Sequence, residues 1–516
     1  MEQAAGEPRA PAAPRAIVLA GFMGAGKSSA ASALAGELGV EALDTDAELE
    51  RELGEPIESF FEREGEEAFR EREEAAVLRM LGAGGSPVLA LGGGALGSPR
   101  VRDALRDQLV VYLEVGVEEA WRRAAGAGRP LARDRDAFER LHAERLPLYE
   151  AVADATLPTA DPDLPRRAAP ALRALEEGPA GLRLVWAHAT SGDYPVFFGS
   201  SLVGAGFFFP PGPRRFVVTD ENAASRLEPP EGESIPMPAG EEQKTLGRAE
   251  EILRELARRG ATRDDLIVGF GGGVVGDLSG FCAAVYQRGM GHVQVPTTLV
   301  AQVDSAYGGK TGVDLPEAKN YVGAYHQPAA VLADPWTLRT LPQEERAAGW
   351  AEVVKTALIA GGRLWDRVRR GYEVDDDVVL GCIRTKLAVV AEDERDAGRR
   401  QVLNLGHTVA HALEAATGYR RLRHGEAVGL GLLCALRLSG QEAIRSDVLE
   451  LLRAAGLPEA IDGVDPESVV GLVARDKKRR GEDVPFVLVE APGRVTPGHR
   501  VEPDALRAAV GEVVRT

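Results

Sequence analysis

The segment Leu403–Glu426, LNLGHTVAHALEAATGYRRLRHGE, holds His407, His411 and His424, three of the eight histidines in a chain of 516 residues, with carboxylates close by. Imidazole and carboxylate together form the donor set of a divalent cation such as zinc. His407 and His411 are four apart in a stretch without helix breakers, which puts both rings on one helical face. Spacing alone predicts a metal chelated by that pair, with a third ligand from elsewhere. A hydrogen-bonded pair of core histidines is the plainer alternative.

A second chemistry is written near the N-terminus. AIVLA reads as a short buried strand, Gly21-Phe-Met-Gly-Ala-Gly-Lys-Ser28 follows it with GxxxxGK[ST] spacing, and Ser29–Leu38 has helical composition. Strand, glycine loop and helix in this order form the context that the phosphate-binding motif requires. The backbone of Gly24, Ala25 and Gly26 and the helix start at Ser28 and Ser29 would cradle ATP phosphates. Lys27 would reach the β and γ phosphates, and Ser28 would hold magnesium. Asp44 and Asp46 are two apart in Leu43-Asp-Thr-Asp46, a spacing that on a strand turns both into one site. Arg70 sits in the acidic run Glu62–Glu74, which by itself reads as a solvated helix face. Leu91-Gly-Gly-Gly-Ala95 would let a small ligand approach backbone, and GRPLAR and ERLPLY place Arg129 and Arg145.

GFMGAGKSS, DTD, EEAFRE, GGG, RPL and ERLPLY follow one another as in shikimate kinase, which this part of the chain resembles over roughly Arg15–Gly178. The resemblance implies an α/β P-loop kinase domain: a parallel sheet with helices on both faces and a mobile lid. It implies that Asp44 assists magnesium, and that Asp46 binds the shikimate hydroxyls and helps deprotonate the one that attacks. Arg70, Arg145 and the backbone of Gly93 and Gly94 would hold the carboxylate side. Arg129 would belong to the lid that closes over ATP. RPL continues here as RPLARDRD rather than RPLL, so a lid of altered length or mobility is expected.

Further on, FGGGVVGDLSGF (Phe270–Phe281) follows the apolar run Leu266–Val268 and leads into PTTLVAQVDSAYGGKTGV (Pro296–Val313). GGGVVGD, PTT, GGKTG, AEVVKT, NLGHT and HGEAV in this order resemble 3-dehydroquinate synthase, over roughly Leu182–Thr516. The resemblance moves the metal ligands from the histidine pair to Glu352, His407 and His424, an open catalytic zinc site that also suits cobalt, and puts His411 beside a substrate phosphate. It implies an α/β NAD-binding half over 183–345 and a mostly helical metal-binding half over 346–516. These would follow a disordered tail over 1–14, the kinase-like domain over 15–178 and a linker over 179–182.

For NAD the resemblance implies Asp220, Asn222, Glu241, Lys244, Gly272, Gly273, Val274, Asp277, Thr297, Thr298, Asp304, Lys310, Lys319, Thr337 and Thr340. The glycines of Gly271–Gly276 would let backbone approach the pyrophosphate, although their spacing is not GxGxxG. Lys319, Asn320, Lys386, Arg400 and Lys477 would bind a heptulosonate phosphate, with Lys310, Lys355, Asn404 and His411 in catalytic roles. Arg288 would reach a neighbouring subunit's site, which implies a homodimer. The implied reaction passes a hydride to NAD and back, eliminates phosphate and closes a carbocycle, with no net redox change. Two departures carry expectations: Asp396 stands where Glu is usual, and only about a dozen residues separate Asn222 from Pro236, so a helix there should be short.

Three other readings stay open: a different sugar phosphate cyclase, a metal-dependent polyol dehydrogenase of the same fold, and a kinase domain reduced to nucleotide sensing. Lys386, Arg400 and Asn404 speak against the first two. Intact Lys27, Ser28, Asp46 and Arg145 speak against the third.

Composition sets outer limits. A chain this long should exceed one domain, and 44% hydrophobic residues suffice for ordinary cores. A formal net charge of -18 argues against nucleic acid as partner. Cys282, Cys382 and Cys434 lie far apart and read as buried thiols of a reducing compartment. No signal-peptide core or membrane-length apolar run is found, so a cytoplasmic protein is expected.

Overall fold

The computed structural model describes residues 15–85, 87–125, 134–210, 214–474 and 484–515. It divides into two compact units, Met1–Trp186 and Ala187–Thr516. The tail over 1–14 lies outside the described residues.

In the first unit the strands are β1 (Ile17–Ala20), β2 (Ala42–Asp44), β3 (Val88–Ala90), β4 (Leu109–Glu114) and β5 (Ala155–Pro158), in the order β2-β3-β1-β4-β5. All four pairings are parallel. The first residues of β6 (Arg183–Ala189) add beside β5 through Leu184 and Val185. The IVLA run of β1 is wholly buried, as a central parallel strand covered on both faces must be. The loops leaving the carboxyl ends of β1 and β3 therefore emerge side by side, and they are the two glycine-rich segments of this unit.

Two local expectations change here. β2 ends at Asp44, which caps the helix Thr45–Leu53 by accepting from the backbone N–H of Asp46 and Ala47, so Asp46 stands in the first helical turn and not on a strand. The acidic run lies in the helix Ile57–Gly82, where Phe69 and Glu73 are buried, so it is not simply a solvated face.

In the second unit β7 (Gly192–Phe198), β8 (Arg215–Asp220), β9 (Glu233–Met237), β10 (Leu266–Gly271), β11 (Gly291–Pro296) and β14 (Ala330–Ala333) run parallel in the order β7-β14-β11-β10-β8-β9. β12 (Lys310–Leu315) and β13 (Ala318–Tyr325) form a separate antiparallel hairpin. β8 stops at Asp220, which caps the six-residue helix Glu221–Arg226 that carries Asn222. Helix Gly273–Val285 springs directly from β10 and packs Val275, Leu278 and Cys282 against Phe216, Ile252 and Ile267.

Beyond β14 the chain is mostly helical, with the hairpin Phe486–Ala491 and Arg494–His499 inserted among the helices. Three helices carry the functional segments: Gln343–Ala360, His407–Ala416 and His424–Leu438. Cys282, Cys382 and Cys434 are buried free thiols. Among the described residues no helix is long and apolar enough to cross a membrane.

Candidate active sites

In the first unit the glycine loop turns through Gly24 and Gly26, both at positive φ, and delivers Lys27 to the start of its helix. Lys27 Nζ donates to Gly21 O at 2.8 Å and Phe22 O at 3.3 Å, so the lysine lies along its own loop. Ser28 Oγ donates to the Asp44 carboxylate. The second glycine loop meets the first: a Cβ on Gly93 would stand 3.7 Å from Met23 N and 3.9 Å from Lys27 Nζ. Gly93 O accepts from Arg145 Nη1 at 3.0 Å and from Tyr149 OH at 2.8 Å. A Cβ on Gly92 would come 2.7 Å from Asp46 Oδ1, and one on Gly94 would overlap the Arg70 guanidinium. Lys27, Ser28, Asp44, Asp46, Arg70, Gly93, Gly94 and Arg145 are thus gathered at one rim. Arg129 lies outside the described residues.

The second unit contains a cleft of about 1550 Å³. Of the residues expected to hold NAD, all but Thr337 line it. Thr337 is buried with its hydroxyl donated to Asp334 O at 2.8 Å and accepting from Gln302 Nε2 at 3.0 Å, so its polar group is already spent in the core. The amide ends of Gly273 and Val274 begin their helix at the cleft, the geometry that receives anions. Gly276 has a different task, since a Cβ there would come 2.7 Å from Gln294 Oε1 behind the helix.

The same cleft is lined by Lys310, Lys319, Asn320, Lys386, Arg400, Asn404, His407, His411 and His424. Arg288 does not line it, and its backbone has φ 70°. Lys477 lies outside the described residues. Lys310 Nζ reaches Asp396 Oδ2 at 2.6 Å, and Lys386 Nζ reaches Asp304 Oδ1 at 2.5 Å. Burial pulls Lys386 down to about 8 in spite of Asp304, and the cations of Lys355 and Arg400 add to the depression. Arg400 is 1% exposed; its guanidinium donates to Glu394 O and, at 3.0 Å, to Gly308 O.

Beneath the cleft floor lie Glu352 and Lys355, one helical turn apart and almost wholly buried. Lys355 Nζ approaches Glu352 Oε2 at 2.5 Å and Asp304 Oδ2 at 3.8 Å. His407 Nε2 and His424 Nε2 stand 3.5 and 3.3 Å from Glu352 Oε1. Glu352, His407 and His424 bring ligand atoms within 4.8 Å of one another. Glu352 Oε1, which faces both imidazoles, is buried without a hydrogen bond, as a carboxylate oxygen awaiting a cation would be, while Oε2 meets the Lys355 ammonium. Burial would raise Glu352, but Lys355 and the two histidines outweigh it and hold the carboxyl well below its usual range. Burial and the Lys355 cation keep His407 neutral, its ligating form. His411 stays on the cleft, its ring 5.5 Å from that of His407, and is not part of the trio, so the helical-pair reading gives way.

Bare backbone makes this meeting possible. A Cβ on Gly425 would overlap Ala348 O, so the helix that starts at His424 can close on the helix of Glu352 only because the next residue is glycine. A Cβ on Gly431 would overlap Gly406 O, which brings the His407 helix onto the same surface.

A 3-dehydroquinate synthase from Halorhodospira halophila is 40% identical over 354 residues, covering 64% of this chain and 100% of that protein. The chain belongs to the 3-dehydroquinate synthase family. The family's N-terminal model matches residues 234–348 and its C-terminal model 349–479, while the shikimate kinase model matches 23–174, so the chain is a fusion of the two. A 3-dehydroquinate synthase from Acidithiobacillus ferrooxidans is 41% identical over 61% of this chain and 93% of its own. The fold of the synthase unit is also that of a 2-deoxy-scyllo-inosose synthase solved with carbaglucose-6-phosphate, NAD+ and Co2+, at TM-score 0.56 and 24% identity, over 64% of this chain and 100% of that one. It is shared with a 2-epi-5-epi-valiolone synthase from Streptomyces hygroscopicus solved with NAD+ and Zn2+, at TM-score 0.56 and 23% identity, over 63% of this chain and 97% of that one.

Two side chains at these sites escaped sequence reasoning. In the kinase unit, Glu73 is 4% exposed and accepts from Arg70 Nη1 at 2.6 Å; burial raises its pKa against that arginine. In the synthase unit, Glu414 is 1% exposed, takes Lys319 Nζ at 3.1 Å and stands 3.5 Å from His424 Nδ1. Burial would raise Glu414, but His424 and Lys319 bring it down to about 2, and between Glu352 and Glu414 the half-buried His424 is pushed up to about 10. Glu73 looked like one more charge in an acidic run. Glu414 had one usable signal, its place one turn beyond His411 on the same helical face.

Proposed function

We propose that the chain is a bifunctional enzyme: its first unit phosphorylates shikimate with ATP, and its second converts 3-deoxy-D-arabino-heptulosonate 7-phosphate to 3-dehydroquinate and phosphate with NAD and a divalent metal, zinc or cobalt. One observation carries the synthase reading. His407 and His424, whose third partner Glu352 lies just beneath the floor, share a single cleft with the cations Lys310, Lys386 and Arg400. A polyol carries no group for those cations, whereas a phosphorylated sugar acid carries two. The relatives named 3-dehydroquinate synthase and the neighbours solved with NAD+ and Zn2+ or Co2+ point the same way.

When bound, the metal would acidify a substrate hydroxyl and NAD would accept and return a hydride. Glu352, His407 and His424 would hold the metal, and Lys355 fixes the Glu352 carboxylate in place. The helix start at Gly273 would receive the dinucleotide phosphates. Lys310, Lys386 and Arg400 would neutralise the substrate's anionic groups and hold the phosphate as it leaves. Arg288 would serve a partner copy's cleft, which makes the enzyme a homodimer.

In the kinase unit, Lys27 would exchange Gly21 O and Phe22 O for the β and γ phosphates, and Ser28 and Asp44 would share magnesium. Asp46 would take the proton of the attacking hydroxyl. Arg70 and Arg145 would pair with the shikimate carboxylate, and Arg129 would close over ATP. Domain limits at 15–178, 183–345 and 346–516 and a cytoplasmic location belong to the same proposal.

The test is phosphate release from the heptulosonate phosphate with substoichiometric NAD, before and after chelation and zinc restoration. Many turnovers per NAD, no accumulation of NADH and rescue by zinc are expected. NADH accumulating in step with substrate loss would replace the synthase with a dehydrogenase.

A further inference from the structure

Glu414 is a buried charge that the proposed chemistry leaves unused. It sits on the helix His407–Ala416 and is 1% exposed. One of its oxygens, Oε1, stands 3.5 Å from His424 Nδ1 and accepts from Lys319 Nζ at 3.1 Å, while Oε2 is buried without a hydrogen-bond partner. The opposite nitrogen of the same ring, His424 Nε2, faces Glu352 Oε1 at 3.3 Å. His424 is therefore held between two carboxylates, one on the metal side and one behind it. The companion ligand is set differently, by a backbone group: His407 Nδ1 lies 3.1 Å from Leu405 O.

Lys319 belongs to the β12–β13 hairpin, a different element, and Tyr419 flanks its ammonium with ring centroid 5.0 Å away. A carboxylate behind a ligating imidazole fixes the tautomer and the ring direction and makes the ligand more basic, with typical effects of about 10–100-fold on metal affinity. Here the same oxygen also anchors a cation of the ligand cleft.

Resting on the synthase reading, we infer that Glu414 is a positioning residue that couples the metal to the anion subsite: it locks His424 with Nε2 toward the metal and, through the same carboxylate, sets Lys319 against the bound nucleotide and substrate. Two consequences separate this role from simple packing. Removing the charge must weaken metal binding, and it must loosen anion binding through Lys319 even at saturating metal.

The experiment uses the full chain with Glu414→Gln, Glu414→Asp and Lys319→Met, each checked for unaltered circular dichroism. Co2+ is titrated in by visible absorption with a competing chelator, and KM and kcat for phosphate release are then read at saturating Zn2+. Glu414→Gln is expected to lose about 10–100-fold in cobalt affinity, with an altered cobalt band, and to raise KM. Glu414→Asp should recover part of both, and Lys319→Met should raise KM while leaving cobalt affinity within about threefold of wild type. A Glu414→Gln protein that matches wild type in cobalt affinity and band overturns the inference, as does a loss that Lys319→Met reproduces in full. A wild type that binds no cobalt stoichiometrically, or binds it equally after His407→Ala, overturns the metal-site reading itself and is recognised before any Glu414 variant is compared.

Discussion

In the kinase unit Lys27 lies against the carbonyls of its own loop and Arg145 against Gly93 O, whereas in the synthase unit Lys355 is sealed against Glu352 Oε2 at 2.5 Å, both almost wholly buried. The first site keeps Lys27 and Arg145 satisfied by backbone carbonyls, bonds that these two side chains would trade for ligand groups. The second has its charges desolvated and positioned in advance, so ligands meet a prepared field. Buried charge of this kind is costly to hold alone, which is why its partners come in chains: Glu352, Lys355, Asp304 and Lys386.

That contrast is broken most directly by removing one lysine from each site. Lys355→Met leaves the buried Glu352 without its nearest cation and should cost the synthase unit about 3–5 kcal/mol in urea unfolding, with added zinc restoring part of it by neutralising Glu352. Lys27→Met should abolish most phosphoryl transfer yet change stability by no more than about 0.5 kcal/mol. Equal destabilisation by the two variants would erase the distinction.

Gly425→Ala tests the helix contact behind the metal trio. Its Cβ has nowhere to go but into Ala348 O, so a loss of about 1–3 kcal/mol and a weakened metal site are expected together, read by thermal unfolding and chelator competition. Metal affinity unchanged in a destabilised protein would detach the site from this contact.

A smaller effect comes from pH. Lys386 titrates near about 8, and only its protonated form attracts an anion. As pH rises through that value, kcat/KM for phosphate release should fall, approaching tenfold per unit, because this ratio reports the free enzyme. Lys386→Arg should move the limb beyond the range, since guanidinium stays charged. The smallest expected effect is Asp396→Glu. The pair with Lys310 is half-exposed on the lysine side, so KM should shift by no more than about fivefold, in keeping with about 1 kcal/mol for exposed pairs.

Much of both sites was legible because their chemistry is local in sequence. The glycine loop and Lys27 are one segment, and NLGHT and HGEAV mark two of three metal donors. What was missed depends on three-dimensional context. Asp46 looked like a strand residue because two-residue alternation fits DTD, but the Asp44 cap starts a helix one residue earlier. His411 outranks His424 as a ligand on helical spacing alone; the motif resemblance already replaces it with His424, and the close approach permitted by Gly425 and Gly431 is the physical reason that spacing cannot supply. Glu73 carries no label, and Glu414 only its helical place beyond His411, until burial shows that neither can face water. Thr337 erred the other way, since nothing in TLRT tells which hydroxyl Gln302 will claim.

The central claim is that the chain carries two active sites that work independently of each other and are prepared in opposite ways. The most direct measurement assays both reactions on the same preparations of wild type, Lys27→Met and Glu352→Gln. We expect Lys27→Met to lose shikimate phosphorylation while releasing phosphate from the heptulosonate phosphate at the wild-type rate, and Glu352→Gln to do the reverse. A single variant that silences both reactions, or a wild type that performs only one, would contradict the account.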